Sequence, residues 1–361
     1  MVKINILSSG RFHVLYLARE LSKNEYDVKF YSFVPTKRVM RFGLSEEDNV
    51  SLFNLLVPFL FLSKVAFKKQ KWAQKLLILV QDYLTGIVMR KCDVCIALSG
   101  NYIYSVKKAM KKGSSIIIER GSKHILEHAR ILRKIKGIGL GDDKLNFFIR
   151  RELESYALAD YIAVASKHVY DSFIKNNYDA QKLFVNPYGV DLSMFSCQPQ
   201  ITKKYDVVMV GGWSLRKGCD LIIEAIKKTK YSFLHVGSIV DLEFPQDTQF
   251  THVPSVDQKE LVNYYNQAKI FVLPSREEGL AMVQVQAIAC NIPLVGSKDS
   301  GAEDLQALVD KPEYIRIIDE YSVDALIKAM DEALSYAEKP ILGGCRRCNM
   351  QFNLGGLRKA I

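Results

Sequence analysis

The feature that most constrains the fold is the alternation of short apolar segments with amphipathic ones. An apolar segment at residues 2–7 is followed by a turn at residues 8–10, a segment with helical spacing at residues 12–21 and a second apolar segment at residues 27–33. This order of strand, turn, helix and strand is typical of a parallel sheet covered by helices. Further strands are predicted at residues 94–98, 115–119 and 161–165.

A second series of the same kind follows, which predicts a second α/β domain. Its predicted strands lie at residues 205–210, 233–236, 270–273, 294–296 and 315–318, and its helices at residues 217–228, 258–267, 281–290 and 323–334. We expect an N-terminal domain at residues 1–185, a linker at residues 186–204 and a C-terminal domain at residues 205–361. A chain of 361 residues is long enough for two domains that each bury a full core.

Charge is divided unevenly between the two halves. Residues 1–150 hold 27 Lys and Arg against 12 Asp and Glu, whereas the whole chain has a net charge of +11. The first half is therefore expected to meet an anionic partner: nucleic acid, anionic lipid or a phosphorylated small molecule. No nucleic-acid-binding motif and no aromatic–basic series is recognisable, which disfavours nucleic acid.

The cysteines and the N-terminus predict a cytoplasmic protein. Seven scattered cysteines argue against a secreted disulfide framework, and the first ten residues read as a strand and turn rather than a signal peptide. Cys92 and Cys95 resemble half of a zinc site, as do Cys345 and Cys348, but about 250 residues separate the pairs. We expect buried or idle cysteines, with Cys92 and Cys95 on opposite faces of a strand.

Residues 51–91 combine apolar stretches with many lysines, and two interpretations stay open. One is a helix that lies in a membrane interface, with a lysine-rich flank. The other is a pair of core helices with solvated lysines. No stretch reaches the roughly 18 uninterrupted apolar residues of a spanning helix.

Two segments carry candidate ligand-binding residues, each between a predicted strand and a helix. In residues 211–218, glycines allow close backbone approach and Arg216 and Lys217 add positive charge, which suits a phosphate, although an ordinary turn is the alternative. In residues 274–281, Glu278 is expected at the carboxyl edge of the sheet, where it can accept hydrogen bonds from sugar hydroxyls. Carboxylates at a helix start are otherwise often simple dipole partners.

These segments resemble those of the retaining glycosyltransferases of family 4, which have the GT-B fold of two Rossmann-like, doubly wound lobes facing a central cleft. The resemblance covers residues 1–335. It is carried by residues 274–289 with Pro293, residues 211–218, residues 186–191 with Phe195, and Ala159, Asp160 and Ser166.

The resemblance implies that a nucleotide-sugar binds between the lobes. Glu278 would bind hydroxyls of the transferred sugar and Lys217, beside Arg216, would pair with the donor pyrophosphate. Retention of configuration and no essential metal are also implied. The other donor contacts implied are Gly10, Gly211 and Gly212, the segment Gly279, Leu280, Ala281, Met282 and Val283, and Gln286.

Two positions depart from the family pattern. Gln286 stands where the family usually has an acidic residue that holds the ribose, and Gly212 stands where a basic residue is usual. A neutral glutamine accepts a weaker hydrogen bond than a charged carboxylate. A non-catalytic nucleotide-sugar-binding protein is therefore kept as the alternative function.

The segment after the predicted strand at residues 115–119 holds candidate acceptor residues. The family often places a histidine near the reacting sugar here, which makes His124 a candidate catalytic and acceptor-binding residue; a supporting histidine is the alternative. Arg120 is a candidate contact for an acceptor phosphate. His128 lies four residues further, but a metal site would lack a third ligand.

The sequence thus predicts an enzyme that moves a sugar from a nucleotide-sugar, UDP-linked by family default, to a hydroxyl of a glycan or lipid-diphosphate-linked acceptor. Cell-surface polysaccharide synthesis, either capsule or lipopolysaccharide, is the expected pathway, with attachment at the inner face of a membrane as a hypothesis. An NAD-dependent dehydrogenase is disfavoured because the turn at residues 8–13 lacks Gly-x-Gly-x-x-Gly. The family's last helix often crosses back to the first lobe, which residues 337–361 do not clearly show.

Overall fold

The computed structural model describes residues 1–57 except 11 and 25, residues 70–135 and residues 147–337. Several sequence predictions lie outside these residues: the part of the lysine-rich stretch at residues 58–69, the pair Cys345 and Cys348, and the tail after residue 337. The described chain forms two parallel sheets, each flanked by helices, which confirms the predicted fold class.

The first sheet has seven parallel strands in the order β3-β2-β1-β4-β5-β6-β7. The strands are β1 (Lys3–Ser8), β2 (Asp27–Ser32), β3 (Asn49–Ser51), β4 (Val94–Leu98), β5 (Ser115–Arg120), β6 (Tyr161–Val164) and β7 (Leu183–Val185). Its helices are α1 (Phe12–Lys23), α2 (Thr36–Met40), α3 (Gln70–Val88), α4 (Ile103–Lys111), α5 (Ile125–Lys134), α6 (Phe147–Leu158) and α7 (Lys167–Lys175).

The second sheet has six parallel strands in the order β10-β9-β8-β11-β12-β13. The strands are β8 (Tyr205–Val210), β9 (Phe233–Val236), β10 (Phe250–Val253), β11 (Ala268–Leu273), β12 (Leu294–Ser297) and β13 (Ile315–Ile318). Its helices are α8 (Cys219–Thr229), α9 (Leu261–Asn266), α10 (Met282–Ala289), α11 (Ala302–Gln306) and α12 (Val323–Ala337). Short 3-10 turns lie at Ala180–Lys182, Leu215–Lys217 and Pro312–Tyr314.

Burial explains why these segments become strands and helices. Central strands such as β1 and β11 are buried on both faces, as parallel strands between helix layers must be, and they read as continuous apolar runs. The three strands that the sequence analysis missed, β3, β7 and β10, all lie at sheet edges. An edge strand packs against fewer neighbours, so its sequence shows a weaker apolar pattern.

The cysteine prediction needs a correction. Cys92 precedes β4 rather than lying in it, and its thiol approaches that of Cys95 instead of pointing to the opposite face. The hydrogen bond with Cys95 lowers the pKa of Cys92 to about 7. Both cysteines are buried and free, and the described residues hold no cluster of three or more metal-ligating side chains.

None of the helices in the described part of the chain is both long and apolar enough to cross a membrane.

Candidate functional site

The glycine-rich turn after β8 lies against the Pro274 segment after β11. Gly211 has a φ of +124° and Gly218, at the start of α8, a φ of +72°, both in the region that favours glycine. A Cβ at Gly218 would overlap the carbonyl oxygen of Pro274. The two segments that the sequence singled out therefore form one site at the carboxyl edge of the second sheet.

A buried histidine fixes the glycine turn from behind. His235 of β9 donates a hydrogen bond from Nε2 to the carbonyl oxygen of Gly211 at 2.8 Å, and its Nδ1 lies 2.9 Å from Nδ1 of His252. Burial lowers the pKa of His235 to about 4, so the ring is neutral near pH 7. This contact could not be predicted from the sequence, because no motif links the histidine to a turn 24 positions earlier.

Glu278 is held between two cations in this turn. Its Oε2 lies 3.1 Å from Nζ of Lys217 and 3.1 Å from Nη1 of Arg216, and its side chain is 22% exposed. Burial alone would raise the pKa of Glu278, but Lys217 and Arg216 outweigh burial and lower it. The carboxylate is thus ionised and occupies a position that could instead receive an anionic phosphate.

Glu277 is a second carboxylate beneath the first and is only 1% exposed. Its Oε1 lies 3.0 Å from Nδ1 of His128 on α5, and its backbone oxygen accepts a hydrogen bond from Arg216 at 2.5 Å. Burial opposes ionisation, yet His128 and Arg216 lower the pKa of Glu277 to about 2. Sequence reasoning assigned Glu277 no role, although its adjacency to Glu278 was a signal.

The loop that carries Glu278 touches the first domain directly. His168 donates from Nε2 to the carbonyl oxygen of Glu278 at 2.8 Å, and Ser166 donates from Oγ to that of Gly279 at 2.8 Å. A Cβ at Gly279 would overlap the carbonyl oxygen of Gly121. The ion pair between Lys123 and Asp299 joins the same two domains. The site therefore lies where the domains meet.

On the side of the first domain, a histidine and a carboxylate form a second pair. Nε2 of His13 lies 3.2 Å from Oε2 of Glu119 at the end of β5, and the His13 ring stacks on Tyr188 at 4.1 Å. Burial, Glu119 and Glu278 raise the pKa of Tyr188. Among the described residues, the other carboxylate oxygen of Glu119 is buried without a hydrogen-bond partner. Gly10 lies in the turn just before His13, where it bonds to Ser8.

His124 and Arg120 occupy interior positions rather than open ones. His124 is the N-cap residue of α5 and packs its ring against Tyr156 and Phe173, and burial lowers its pKa to about 4. Arg120 pairs with Glu152 at 2.7 Å. Both side chains are thus bonded within the first domain, and their direct sugar and acceptor contacts stay predictions.

Residues after Gly279 lead into α10, which begins at Met282. Leu280 and Ala281 are buried, and Met282 and Val283 are partly exposed in the first turn. Gln286 is buried, and its Oε1 accepts a hydrogen bond from the Tyr265 hydroxyl at 3.0 Å. This oxygen can accept a second hydrogen bond, and the ribose contact of Gln286 stays a prediction. Gly212 lies beside Val240.

A known protein family matches the C-terminal part of the chain. Residues 196–340 match the family described as glycosyl transferases group 1. An uncharacterized glycosyltransferase of Methanocaldococcus jannaschii is 28% identical over 105 residues, which is 27% of this chain and 30% of that protein. An uncharacterized protein in the cps region of Klebsiella pneumoniae is 28% identical over 100 residues, which is 26% of this chain and 28% of that protein. The alignments thus span under a third of each relative.

Solved structures share the fold over almost the whole chain. Sucrose-phosphate synthase from Thermosynechococcus elongatus has a TM-score of 0.64 at 15% identity, covering 99% of this chain and 97% of that one. HepE from Anabaena, in complex with UDP, has a TM-score of 0.61 at 12% identity, covering 93% of this chain and 94% of that one. TarM has a TM-score of 0.66 at 10% identity, covering 93% of this chain and 92% of that one.

The fold and the cleft define a two-domain protein of the GT-B class. Within that class, the C-terminal part of the chain, residues 196–340, matches the family of group 1 glycosyl transferases. The GT-B fold that the resemblance implies is confirmed, and the family match agrees with it over residues 196–340, whereas placement in family 4 stays a prediction.

Proposed function

We propose that this protein is a glycosyltransferase that moves a sugar from a nucleotide-sugar to an acceptor hydroxyl. The observation that carries the proposal is the cluster of Glu278, Arg216 and Lys217 at the junction of the two domains, with both cations within 3.1 Å of one carboxylate oxygen. Two fixed cations can stabilise the charge that grows on a departing diphosphate. The carboxylate can hold sugar hydroxyls so that the acceptor approaches the correct face.

The donor is proposed to be UDP-linked and to bind mainly to the second domain, residues 205–361. HepE has been solved with UDP and with UDP-glucose, which supports this choice by analogy of fold. The glycine turn and the start of α10 at Met282 would contact the phosphates. We further propose that configuration is retained and that Arg216 and Lys217 neutralise the leaving group without an essential metal.

Contacts between the domains support a role for closure. The backbone of Glu278 and Gly279 is bonded to His168 and Ser166, so the sugar-binding loop is held against the first domain. A closed cleft excludes water and limits hydrolysis of the donor. The first domain, residues 1–185, would then supply the acceptor side.

The acceptor is proposed to be a hydroxyl of a glycan or lipid-diphosphate-linked intermediate in capsule or lipopolysaccharide assembly, on the cytoplasmic side. The relative from a cps region supports polysaccharide synthesis by analogy.

A non-catalytic nucleotide-sugar-binding protein is the second candidate. The observation that favours it is Gln286, whose side-chain oxygen is already bonded to Tyr265 in place of a free carboxylate. Such a protein would bind the donor but would not transfer its sugar to any acceptor.

The test is nucleotide release from UDP-, GDP- and dTDP-sugars, measured for wild type and Glu278→Gln, with exposed Glu313→Gln as the matched control. We expect one donor to be hydrolysed slowly, with release lowered about 100-fold or more in Glu278→Gln, unchanged in Glu313→Gln and insensitive to chelator. UDP affinity, measured by calorimetry, is expected to be kept or raised in Glu278→Gln, since the substitution frees two cations from a competing carboxylate.

Each contrary result has a distinct meaning. Donor binding without release, and without transfer to a panel of glycan and lipid-linked acceptors, would favour the binding protein. Absence of binding to every donor would overturn both candidates. If a chelator stops nucleotide release, the proposed independence from metal is overturned, and the proposed transferase activity is not.

A further inference from the structure

Helix α3 exposes a row of large apolar side chains. Trp72, Leu79, Tyr83 and Ile87 are 57%, 45%, 55% and 51% exposed. At about 100° per residue, all four lie within about a quarter of the helix circumference. Single exposed apolar residues are ordinary, but a continuous row on one face marks an interaction surface.

Helix α4 widens this row into a flat surface. The ring of Tyr104 lies 5.3 Å from that of Tyr83, and Tyr104 is 42% exposed. A Cβ at Gly86 would come within 2.6 Å of the Tyr104 ring, so the glycine allows the ring to lie directly on α3. We call Trp72, Leu79, Tyr83, Ile87 and Tyr104 the apolar platform.

A buried carboxylate joins the two helices. Asp82 of α3 accepts hydrogen bonds from the backbone N–H groups of Ile103, Tyr104 and Ser105, each at 2.9 Å. Arg151 pairs with the same carboxylate at 2.8 Å. The platform is therefore rigid, so docking on it would cost little conformational entropy.

The surroundings of the platform are basic. Residues 70–112 hold eight Lys and Arg but only two Asp and Glu, and one of those two, Asp82, is buried. Among the side chains that the structure describes here, the exposed lysines are Lys75, Lys91, Lys111 and Lys112, together with Lys107, which pairs with Glu154 of α6. A bilayer surface has apolar acyl chains below anionic headgroups. The aromatic and aliphatic side chains would contact the acyl chains, and the lysines around them would contact the headgroups.

We propose that the apolar platform docks the first domain on an anionic lipid bilayer, with α3 and α4 lying in the interface. A second copy of the chain fits less well, because pairing the platform with itself would bring the same lysines face to face. This proposal does not depend on the transferase activity, since no platform residue belongs to the site around Glu278.

The experiment is flotation of the full chain with vesicles of phosphatidylcholine alone and with 30% phosphatidylglycerol, on the order of 0.05 M and 0.5 M salt. Variants Trp72→Ser and Ile87→Ser remove platform side chains, and Leu308→Ser, at a residue of the second domain that is 44% exposed, is the control. The double variant Lys111→Glu and Lys112→Glu reverses the charge of two lysines around the platform, and Lys328→Glu is its control. Thermal melts check that every variant is folded.

We expect wild type to bind the anionic vesicles and high salt to weaken this binding. Each reversed lysine should lower the binding about fivefold or more, and both platform variants should bind more weakly than wild type. The controls should bind like wild type. Absence of binding at low salt, equal loss in Leu308→Ser, or a dimer that Trp72→Ser dissociates would each overturn the proposal. Donor release by Trp72→Ser should equal that of wild type, which separates this test from that of the proposed function.

Discussion

At position 218 a side chain would meet two obstacles at once. Gly218 has a φ of +72°, and its Cβ would overlap the carbonyl oxygen of Pro274. Gly113 has a φ of +84°, but a Cβ there would meet no atom within 4 Å. We expect Gly113→Ala to destabilise the protein by about 1 kcal/mol and Gly218→Ala by about 3 kcal/mol or more. Equal shifts in thermal melts would contradict the close packing of the two loops.

Other residues show which parts of the site a sequence can predict. Glu278 and Lys217 were placed by local motifs, and the structure brings them within 3.1 Å. The contact between Glu277 and His128 could not be predicted, because it joins elements of different domains. The interior position of His124 depends likewise on Tyr156 and Phe173, which come from other helices.

At the scale of single elements, the junction of α3 and α4 depends on one carboxylate. Removing Asp82 would leave Arg151, whose side chain is 11% exposed, without its carboxylate and three backbone N–H groups without an acceptor. We expect Asp82→Ala to cost about 3–5 kcal/mol of unfolding free energy. Asp171→Ala, which removes an exposed pair with Lys167, should cost less than about 1 kcal/mol. Urea titrations of both variants measure the difference.

Element prediction succeeded where burial on both faces produces a strong apolar pattern. Strands β4, β8 and β9 begin and end where the sequence placed them, and so does β13, although it lies at a sheet edge. The helix at residues 217–228 was predicted as one piece, whereas the structure has a 3-10 turn, then Gly218, then α8. The break follows from the left-handed conformation of Gly218, which apolar spacing does not report.

Across the whole molecule, each domain contains a buried histidine whose pKa is lowered to about 4, His124 in the first and His235 in the second. The unfolded chain takes up these protons near pH 6.5, whereas the folded protein does so only near pH 4. Stability is therefore full above pH 6.5 and declines as pH falls toward 4, by up to about 3 kcal/mol for each histidine.

Thermal melts between pH 7 and pH 5 measure this decline. His124→Asn keeps an acceptor for the N-cap but removes one titrating ring, so its melting temperature should depend less steeply on pH than that of wild type. An unchanged slope would show that His124 is not held neutral by burial.

The seam between the domains has a consequence for the pace of turnover. Where Gly121 meets Gly279, main chain faces main chain, and no rotamer exists that could swing aside to open a passage. Any molecule that passes there must wait for a displacement of entire domains, a motion of microseconds to milliseconds, rather than for the far faster hop of one side chain. Under the proposed function, this domain motion would set the dwell time of the spent nucleotide, and its release would slow as solvent viscosity rises.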